Sequence, residues 1–318
     1  MKLFGSAQEA IDSMAHINLD NYFDNGANPD EPATTPWSKS ALFKVSEDPA
    51  SWMAKVPFIV TEKMKFGSLV DDYLFWPSQF KAKYEETSAC PWNKNPGKAE
   101  AMKIRSRNKT PVKPKDMDRV RAIEEGFKSR VKSNHSQKML DGEYQYLTKG
   151  AVEINYTLDG LPKTVFLPIK GLLDSALFTG GKEQDDVELF DMKITSAKDI
   201  ADVWSIYTGL GYHWQEVIYS ELMTKAGYNV KDFHFVFSQS EPPHQIWIVK
   251  SDENLRAVAK TGISRAFMHV LAIIEGWTPE DFTPAVLTFG KQNPWERFME
   301  LPEELLKRIK IQDVEFHA

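Results

Sequence analysis

The sequence predicts an α/β protein, with a central mixed β-sheet flanked by helices and an N-terminal helical extension. Three observations carry this. Apolar residues recur at spacings of three and four up to Val131, the period shifts towards two near Lys149, and the second half then runs helix, strand, strand, helix. No GxGxxG or GxxxxGK[ST] phosphate loop occurs, so this is not a Rossmann or P-loop order.

Composition sets the outer limits. The 318 residues suit one large domain or two modest ones, and 42% hydrophobic content is enough for a buried core. A net charge of −6 argues against a passive nucleic-acid coat, which is usually basic, but suits an enzyme that gathers carboxylates around a metal. The lone cysteine, Cys90, excludes an internal disulfide and any multi-cysteine metal site. No apolar run approaches the ~20 residues a bilayer requires, and the N-terminus lacks a signal-like apolar region. The expectation is a cytoplasmic protein with no membrane partner.

Residues 1–36 form an acidic, loop-rich segment rich in Asn, Gly and Pro, and residues 37–318 read as a single domain. Within it, 37–93 is helical. Ser38 or Ser40 caps a first helix carrying Leu42 and Phe43, and Leu69, Tyr73 and Trp76 line one face of another. Residues 94–116 hold eight Lys or Arg against two acids, plus three prolines, and read as a basic loop. Such a loop is a solvated linker or, through Lys103, Arg105, Arg107 and Lys109, a contact to DNA phosphates. Asp116 is placed to cap an amphipathic helix bearing Met117, Val120, Ile123, Phe127 and Val131.

The core spans 117–275. AVEINYTL, the Asp159-Gly160 turn and PKTVFLPIK read as a hairpin; KGLLDSALF continues as a strand or its bend, and FTGGKEQDD turns into the strand VELFDMKIT. Gly209 and Gly211 divide the helical stretch that follows, DFHFVFSQ and HQIWIVK are paired strands, and Ser251 caps a long last helix. Residues 276–318 are a C-terminal extension with one short helix near Pro302–Lys310.

The chemistry concentrates between Lys170 and Thr195. Asp174 ends one apolar strand, Asp191 ends the next, and Lys193 shares a strand face with Asp191 because i and i+2 point the same way. Paired as a hairpin, the strands bring all three together. Two carboxylates suit a hard divalent ion such as Mg²⁺, and a lysine beside them suits the charge that develops in phosphodiester hydrolysis. A D-x-K pair alone is common on protein surfaces. Glu153 on the preceding strand is a third carboxylate or an outward-facing one, and Gln215 and Tyr219 share a helical face at i, i+4. The histidines, His16, His135, His213, His234, His244, His269 and His317, show no HxH or HExxH spacing, which argues against zinc.

Taken together, KGLLD, FDMKIT and YHWQEVIY resemble the D-(x)n-(D/E)-x-K core and Q-x-x-x-Y helix of RecB-type nucleases in the PD-(D/E)xK superfamily. The closer likeness is to RecE-type exonucleases (exodeoxyribonuclease VIII-like), with K-G-x-x-D, D-x-K-T and Y-h-x-Q-x-x-x-Y in that order. SKSALF is similar to that family's S-K-S-x-L opening, FGSLVDDYLFW to its F-G-x-x-x-H helix, and FVFSQSEPPHQIWIVK to its paired strands. The likeness covers residues 36–275.

The resemblance implies a PD-(D/E)xK nuclease core and an exonuclease that degrades one strand of linear duplex DNA, 5′ to 3′, leaving 3′ single strands for recombination. It implies Asp174, Asp191 and the Met192 carbonyl as metal ligands, Lys193 as the catalytic lysine, Glu153 at the metal centre or a second ion, and Gln215 and Tyr219 against DNA or bracing the site. It implies Mg²⁺, with Mn²⁺ substituting, a DNA end as substrate, a ring-shaped homo-oligomer, and a RecT-type annealing protein as partner. Two positions depart from the family: Asp191 stands where the superfamily often has Glu, and Asp71 where this family has His. Asp71 is then either a solvated surface residue or a replacement metal ligand. An endonuclease on the same fold, and a catalytically silent DNA-binding recombination accessory protein, are the alternative readings.

Overall fold

The computed structural model describes residues 3–56, 59–88, 93–129, 135–180, 186–282, 287–289, 297–299 and 302–318. Cys90 and most of the Gly-rich turn before VELFDMKIT lie outside these residues.

The N-terminal half is helical. It comprises α1 (Ala7–Asp12), α2 (Lys39–Glu47), α3 (Pro49–Met53), α4 (Glu62–Phe75), α5 (Pro77–Lys83), β1 (Tyr84–Glu86), α6 (Asn95–Arg105), β2 (Thr110–Val112), α7 (Pro114–Ser129) and α8 (His135–Asp141). Ser38 caps α2 as expected, its hydroxyl accepting from the Ala41 amide. The basic stretch is not a loop: Pro96 lies in the first turn of α6, and Thr110–Val112 pairs in parallel with β1. α7 begins at Pro114, so Asp116 lies inside its first turn rather than at its cap. On α4, Leu69, Val70, Leu74 and Phe75 are the buried residues; Tyr73 is only half-buried and Trp76 is the C-cap.

The second half comprises β3 (Glu143–Leu158), β4 (Leu161–Phe178), β5 (Asp186–Thr195), α9 (Ile200–Gly209), α10 (Tyr212–Lys225), β6 (Asn229–Gln239), β7 (Ile246–Val249) and α11 (Glu253–Ile274). A 3-10 turn, β8 (Leu287–Phe289), β9 (Arg297–Met299), α12 (Glu303–Arg308) and β10 (Ile309–His317) follow. PKTVFLPIK and KGLLDSALF are one unbroken strand. Asp252, not Ser251, caps α11, accepting from the Leu255 amide at 2.8 Å. By length and composition α11 could cross a bilayer, but it is a core helix, with 61% of its apolar window buried.

The main sheet runs β10-β3-β4-β5-β6-β7, antiparallel except for the parallel β5–β6 pair. It is the central mixed sheet flanked by helices that the sequence predicts. The C-terminal extension is not peripheral to it, because β10 forms its outer strand beside β3. That strand was illegible because IKIQDVEFH alternates only weakly and is largely exposed.

Strand alternation divides the apolar residues between two layers. Leu189, Phe233, Phe235 and Phe237 pack in one layer with α2, α9, α10 and α11. Phe190, Met192 and Val236 pack in the other with α4, α7 and α8.

Candidate active site at the fork of the sheet

β4 is 18 residues long but pairs with β5 over only four positions, Ser175–Phe178 against Phe190–Val187. Beyond Ser175 and Phe190 the strands separate: β4 stays with β3, and β5 continues beside β6. Asp174 and Asp191 are the next residue on each strand, so they stand side by side where the sheet forks. Both lie within their strands rather than at the ends. Further along β4, the vacated edge is taken by Trp37, whose amide donates to Pro168 O and whose carbonyl accepts from Lys170 N, both at 2.8 Å.

The sequence-predicted core meets here. The Met192 amide donates to Asp174 Oδ2 at 2.7 Å. In an extended strand a residue's N–H and C=O point to the same side, so the Met192 carbonyl also faces the fork. Lys193 forms an ion pair with Asp191, and the Gln215 side-chain amide donates to the other Asp191 oxygen. Asp191, Gln215 and Tyr219 are buried and form the floor, whereas Asp71, Asp174 and Lys193 are half-buried and form the rim.

Asp71 lies near enough to the fork to feel the charges of Asp174, Lys193 and Asp191. Its carboxyl is pushed well above the usual carboxylate range, first by burial, then by the charge of Asp174, against the pull of Lys193. Its neighbour Asp72 turns away and pairs with Lys83 at 2.7 Å. α4 packs in the opposite layer from α10, and the open fork explains how both helices reach the same carboxylates.

The electrostatics are those of crowded like charges. Burial and then Asp191 push Asp174 up to about 7, with Lys193 and the Met192 amide opposing. Burial disfavours the Lys193 ammonium, but Asp191, Tyr212 and Asp174 outweigh it and hold its pKa above the usual lysine value. Three carboxylates in a partly desolvated cleft leave an excess of negative charge that a divalent cation would balance. The donor set (carboxylate oxygens and a strand carbonyl) is that of a hard ion.

Other sequence candidates fall elsewhere. Glu153 lies opposite Phe166 on β4, eight positions from Asp174, which at ~3.3 Å per residue is roughly 26 Å away. It accepts from Asn155 at 3.0 Å and faces His317 at 3.2 Å, so it does not stand at the fork. Being on the adjacent strand was not enough; register decides. Lys103, Arg105, Arg107 and Lys109 are not at the fork either. Arg107 pairs with Glu85 at 2.7 Å and Lys109 donates to Lys81 O at 2.9 Å, which places the group beside the small β1–β2 sheet.

Three residues at the site were not singled out. Lys39, in the first turn of α2, is 5% exposed, donates to Leu210 O at 2.5 Å and lies 4.9 Å from the Tyr212 ring centre. Burial, then Lys193, lower its pKa to about 7. Tyr212 also lies under Lys193, 5.0 Å from its Nζ. Tyr22 hydrogen-bonds Tyr219, and its pKa is pushed up to about 12 by burial. The signal for Lys39 was in the SKSALF motif, where it reads as one more charge near a helix start. Lys170 of KGLLD braces the site from behind: it donates to Tyr22 O, with its ammonium 4.0 Å from the Tyr22 ring centre. With Lys149 donating to Met14 O at 2.9 Å, it fixes the acidic N-terminal segment against β3 and β4.

One grouping of histidines is not visible in their spacing. His135 of α8, Glu188 of β5 and His234 of β6 gather their ligand atoms within 4.8 Å of one another. Three separate elements supply them, so no local spacing could show the group.

No protein-family profile matches the chain, and no curated protein does. Among solved structures, one from Eubacterium rectale, whose description proposes an exonuclease, is similar over 82% of this chain and 87% of its own, at 15% identity and a TM-score of 0.48. Similarity at that level assigns neither an activity nor a residue.

Proposed function

We propose that the chain is a Mg²⁺-dependent DNA nuclease of the PD-(D/E)xK type, acting as a RecE-like exonuclease on linear duplex DNA. The observation that supports this best is the meeting of Asp71, Asp174 and Asp191 with Lys193 at an open fork in the sheet. Asp71, Asp174, Asp191 and the Met192 carbonyl would hold the ion. Bound there, Mg²⁺ would supply an activated water and charge neutralisation at the phosphate.

The protein's own groups have distinct tasks. The Met192 amide fixes Asp174, and Gln215 fixes Asp191, so the carboxylates are preorganised rather than recruited. Lys193, half-exposed at the rim, places a permanent positive charge where a scissile phosphate would gain negative charge. Lys39 places a second amine behind it, only partly charged at neutral pH because its pKa is lowered to about 7, within a low-dielectric wall formed with Tyr212. Degradation 5′ to 3′, a ring-shaped homo-oligomer around DNA and transfer of the 3′ strand to a RecT-type annealing protein rest on the motif resemblance.

The test is digestion of end-labelled linear duplex and of a covalently closed circle, each with Mg²⁺, Mn²⁺ or chelator. Metal-dependent loss of the linear DNA alone supports the exonuclease; cutting of the circle replaces it with an endonuclease on the same fold. Asp174→Ala, Asp191→Ala and Lys193→Ala should each cost at least ~3 kcal/mol of barrier, by analogy with oxyanion-hole losses. DNA binding without metal-dependent cleavage by the wild type would leave a silent binding protein.

A further inference from the structure

We infer that His135, Glu188 and His234 form a second metal site, separate from the carboxylate fork and suited to a borderline ion such as Zn²⁺. The site lies on the other face of the sheet. Counting along β5, Glu188 shares the side of Phe190 and Met192, opposite Asp191 and Lys193, and is three residues from Asp191, roughly 10 Å at ~3.3 Å per residue.

The ligand atoms already converge. His234 is 2% exposed, with its Nε2 3.6 Å from Glu188 Oε2. Ligands bound at ~2.0–2.1 Å to one tetrahedral ion are roughly 3.3 Å apart, so small side-chain shifts would close the set. The His135 and His234 rings lie 4.1 Å apart, tilted by 30°. Asp232 Oδ2, 3.7 Å from His234 Nε2, lies at the rim but already accepts from Lys250 at 3.0 Å, so a fourth ligand is a water, or this oxygen once Lys250 has left it.

A second observation points to a ligand. His135 Nδ1 and both His234 nitrogens are buried without a hydrogen-bond partner among the described residues. A buried polar atom left unpaired costs about 1–3 kcal/mol, and one ring here carries two. Two imidazoles and one carboxylate are a donor set that Zn²⁺ accepts readily and that Mg²⁺, which prefers all-oxygen octahedra, does not.

The competing occupant is Lys138. Its ammonium donates to both Glu188 oxygens, at 2.7 and 3.0 Å. It holds the carboxylate charged and beside the histidines, and an incoming ion must displace it from at least one oxygen. The ion would tie α8 to β5 and β6, on the strand that carries Asp191 and Lys193. The site therefore holds the scaffold together and touches no substrate.

The experiment is titration of the full-length, chelator-treated protein with Co²⁺, then Zn²⁺, with excess Mg²⁺ present to occupy the carboxylate fork. Tetrahedral Co²⁺ absorption should appear at one equivalent and be displaced by Zn²⁺, and Zn²⁺ should raise Tm. Asp191→Asn should keep this signal. His135→Gln and His234→Gln should weaken binding at least tenfold, and Lys138→Met should tighten it severalfold. Because His234 is buried and its replacement puts folding at risk, the half-exposed His135 decides: unchanged Co²⁺ affinity in His135→Gln, or no tetrahedral signal in the wild type, overturns the site. Loss of the signal in Asp191→Asn also overturns it, by assigning the ion to the fork. None of these readings depends on nuclease activity.

Discussion

The side-chain amide of Gln215 donates to the carboxylate of Asp191, joining α10 to the strand that carries both the acid and the lysine. Asp191 is 2% exposed, so this donor takes the place of solvent at its carboxylate. Gln215→Ala should reduce single-turnover cleavage at least tenfold and cost about 1–3 kcal/mol of stability. Gln215→Glu, which sets a like charge beside Asp191, should be worse on both counts. Rapid-quench rates and thermal melts measure the two effects, and a wild-type rate in Gln215→Ala would detach α10 from the chemistry.

Asp71 and Asp72 are adjacent, and the structure gives them opposite surroundings. Asp71→Asn should raise the Mg²⁺ concentration needed for half-maximal cleavage severalfold or more. Asp72→Asn, which weakens a pair with Lys83 directed away from the fork, should change it little. Asp71→His should recover part of the activity, and more with Mn²⁺ than with Mg²⁺, because Mn²⁺ accepts nitrogen more readily. Superimposable metal titrations for all three variants would return Asp71 to the surface.

The crowded carboxylates should also make stability depend on pH. Asp174 rises from its ordinary 3.8 to about 7 in the folded protein, so between those values the folded state binds more protons than the unfolded one. In chelator, stability contributed by this group is greatest below pH 3.8 and falls as pH climbs through about 7, with Asp71 acting in the same direction. A cation at the fork stabilises the charged forms, so Mg²⁺ should raise Tm more at pH 8 than at pH 5. Melting curves at both pH values, with and without Mg²⁺, give the answer. A Mg²⁺ effect that is equal at the two, or larger at pH 5, would contradict it.

Gly171 and Tyr219 link two motifs that the sequence shows only as separate strings. A Cβ at position 171 would lie 2.4 Å from the Tyr219 ring, nearer than any real contact. Gly171→Ala should therefore destabilise by about 1–3 kcal/mol and displace Tyr219 from Tyr22. Tyr219→Leu should relieve the clash, so the double variant should be more stable than the two single costs added together. Strict additivity in denaturant melts would show that the ring moves aside freely.

Much of the site could be read from the sequence, for physical reasons. Strand alternation puts Asp191 and Lys193 on one side, and hairpin pairing brings Asp174 alongside; both are local rules. Helical spacing puts Gln215 and Tyr219 on one face. What stayed hidden depends on register or on distant elements. Glu153 is on the adjacent strand, and the Asp159-Gly160 turn sets it against Phe166, but its distance from Asp174 shows only once PKTVFLPIK and KGLLDSALF are one strand. Lys39 reads as an exposed charge until α2 is seen against α10 and Tyr212. The β10 strand needs β3 beside it before its weak alternation means anything. The two-faced sheet was legible because β5 and β6 are apolar on both sides, while the fork was not, since a strand's sequence does not say where its partner leaves it.

The Trp37 bridge to Ile169 has a consequence for synthesis. A nascent chain releases Trp37 and Lys39 early, but the edge that receives them exists only after β4 has emerged and β5 has turned away from it. The first part of the chain must therefore wait, undocked, for a strand made far later. Closure of the bridge seats α2 and carries Lys39 to the carboxylates. Activity should accordingly appear late in refolding, after the sheet's own fluorescence and circular-dichroism signals have settled, and a chain shortened to begin after Lys39 should fold its sheet yet leave the site without that amine.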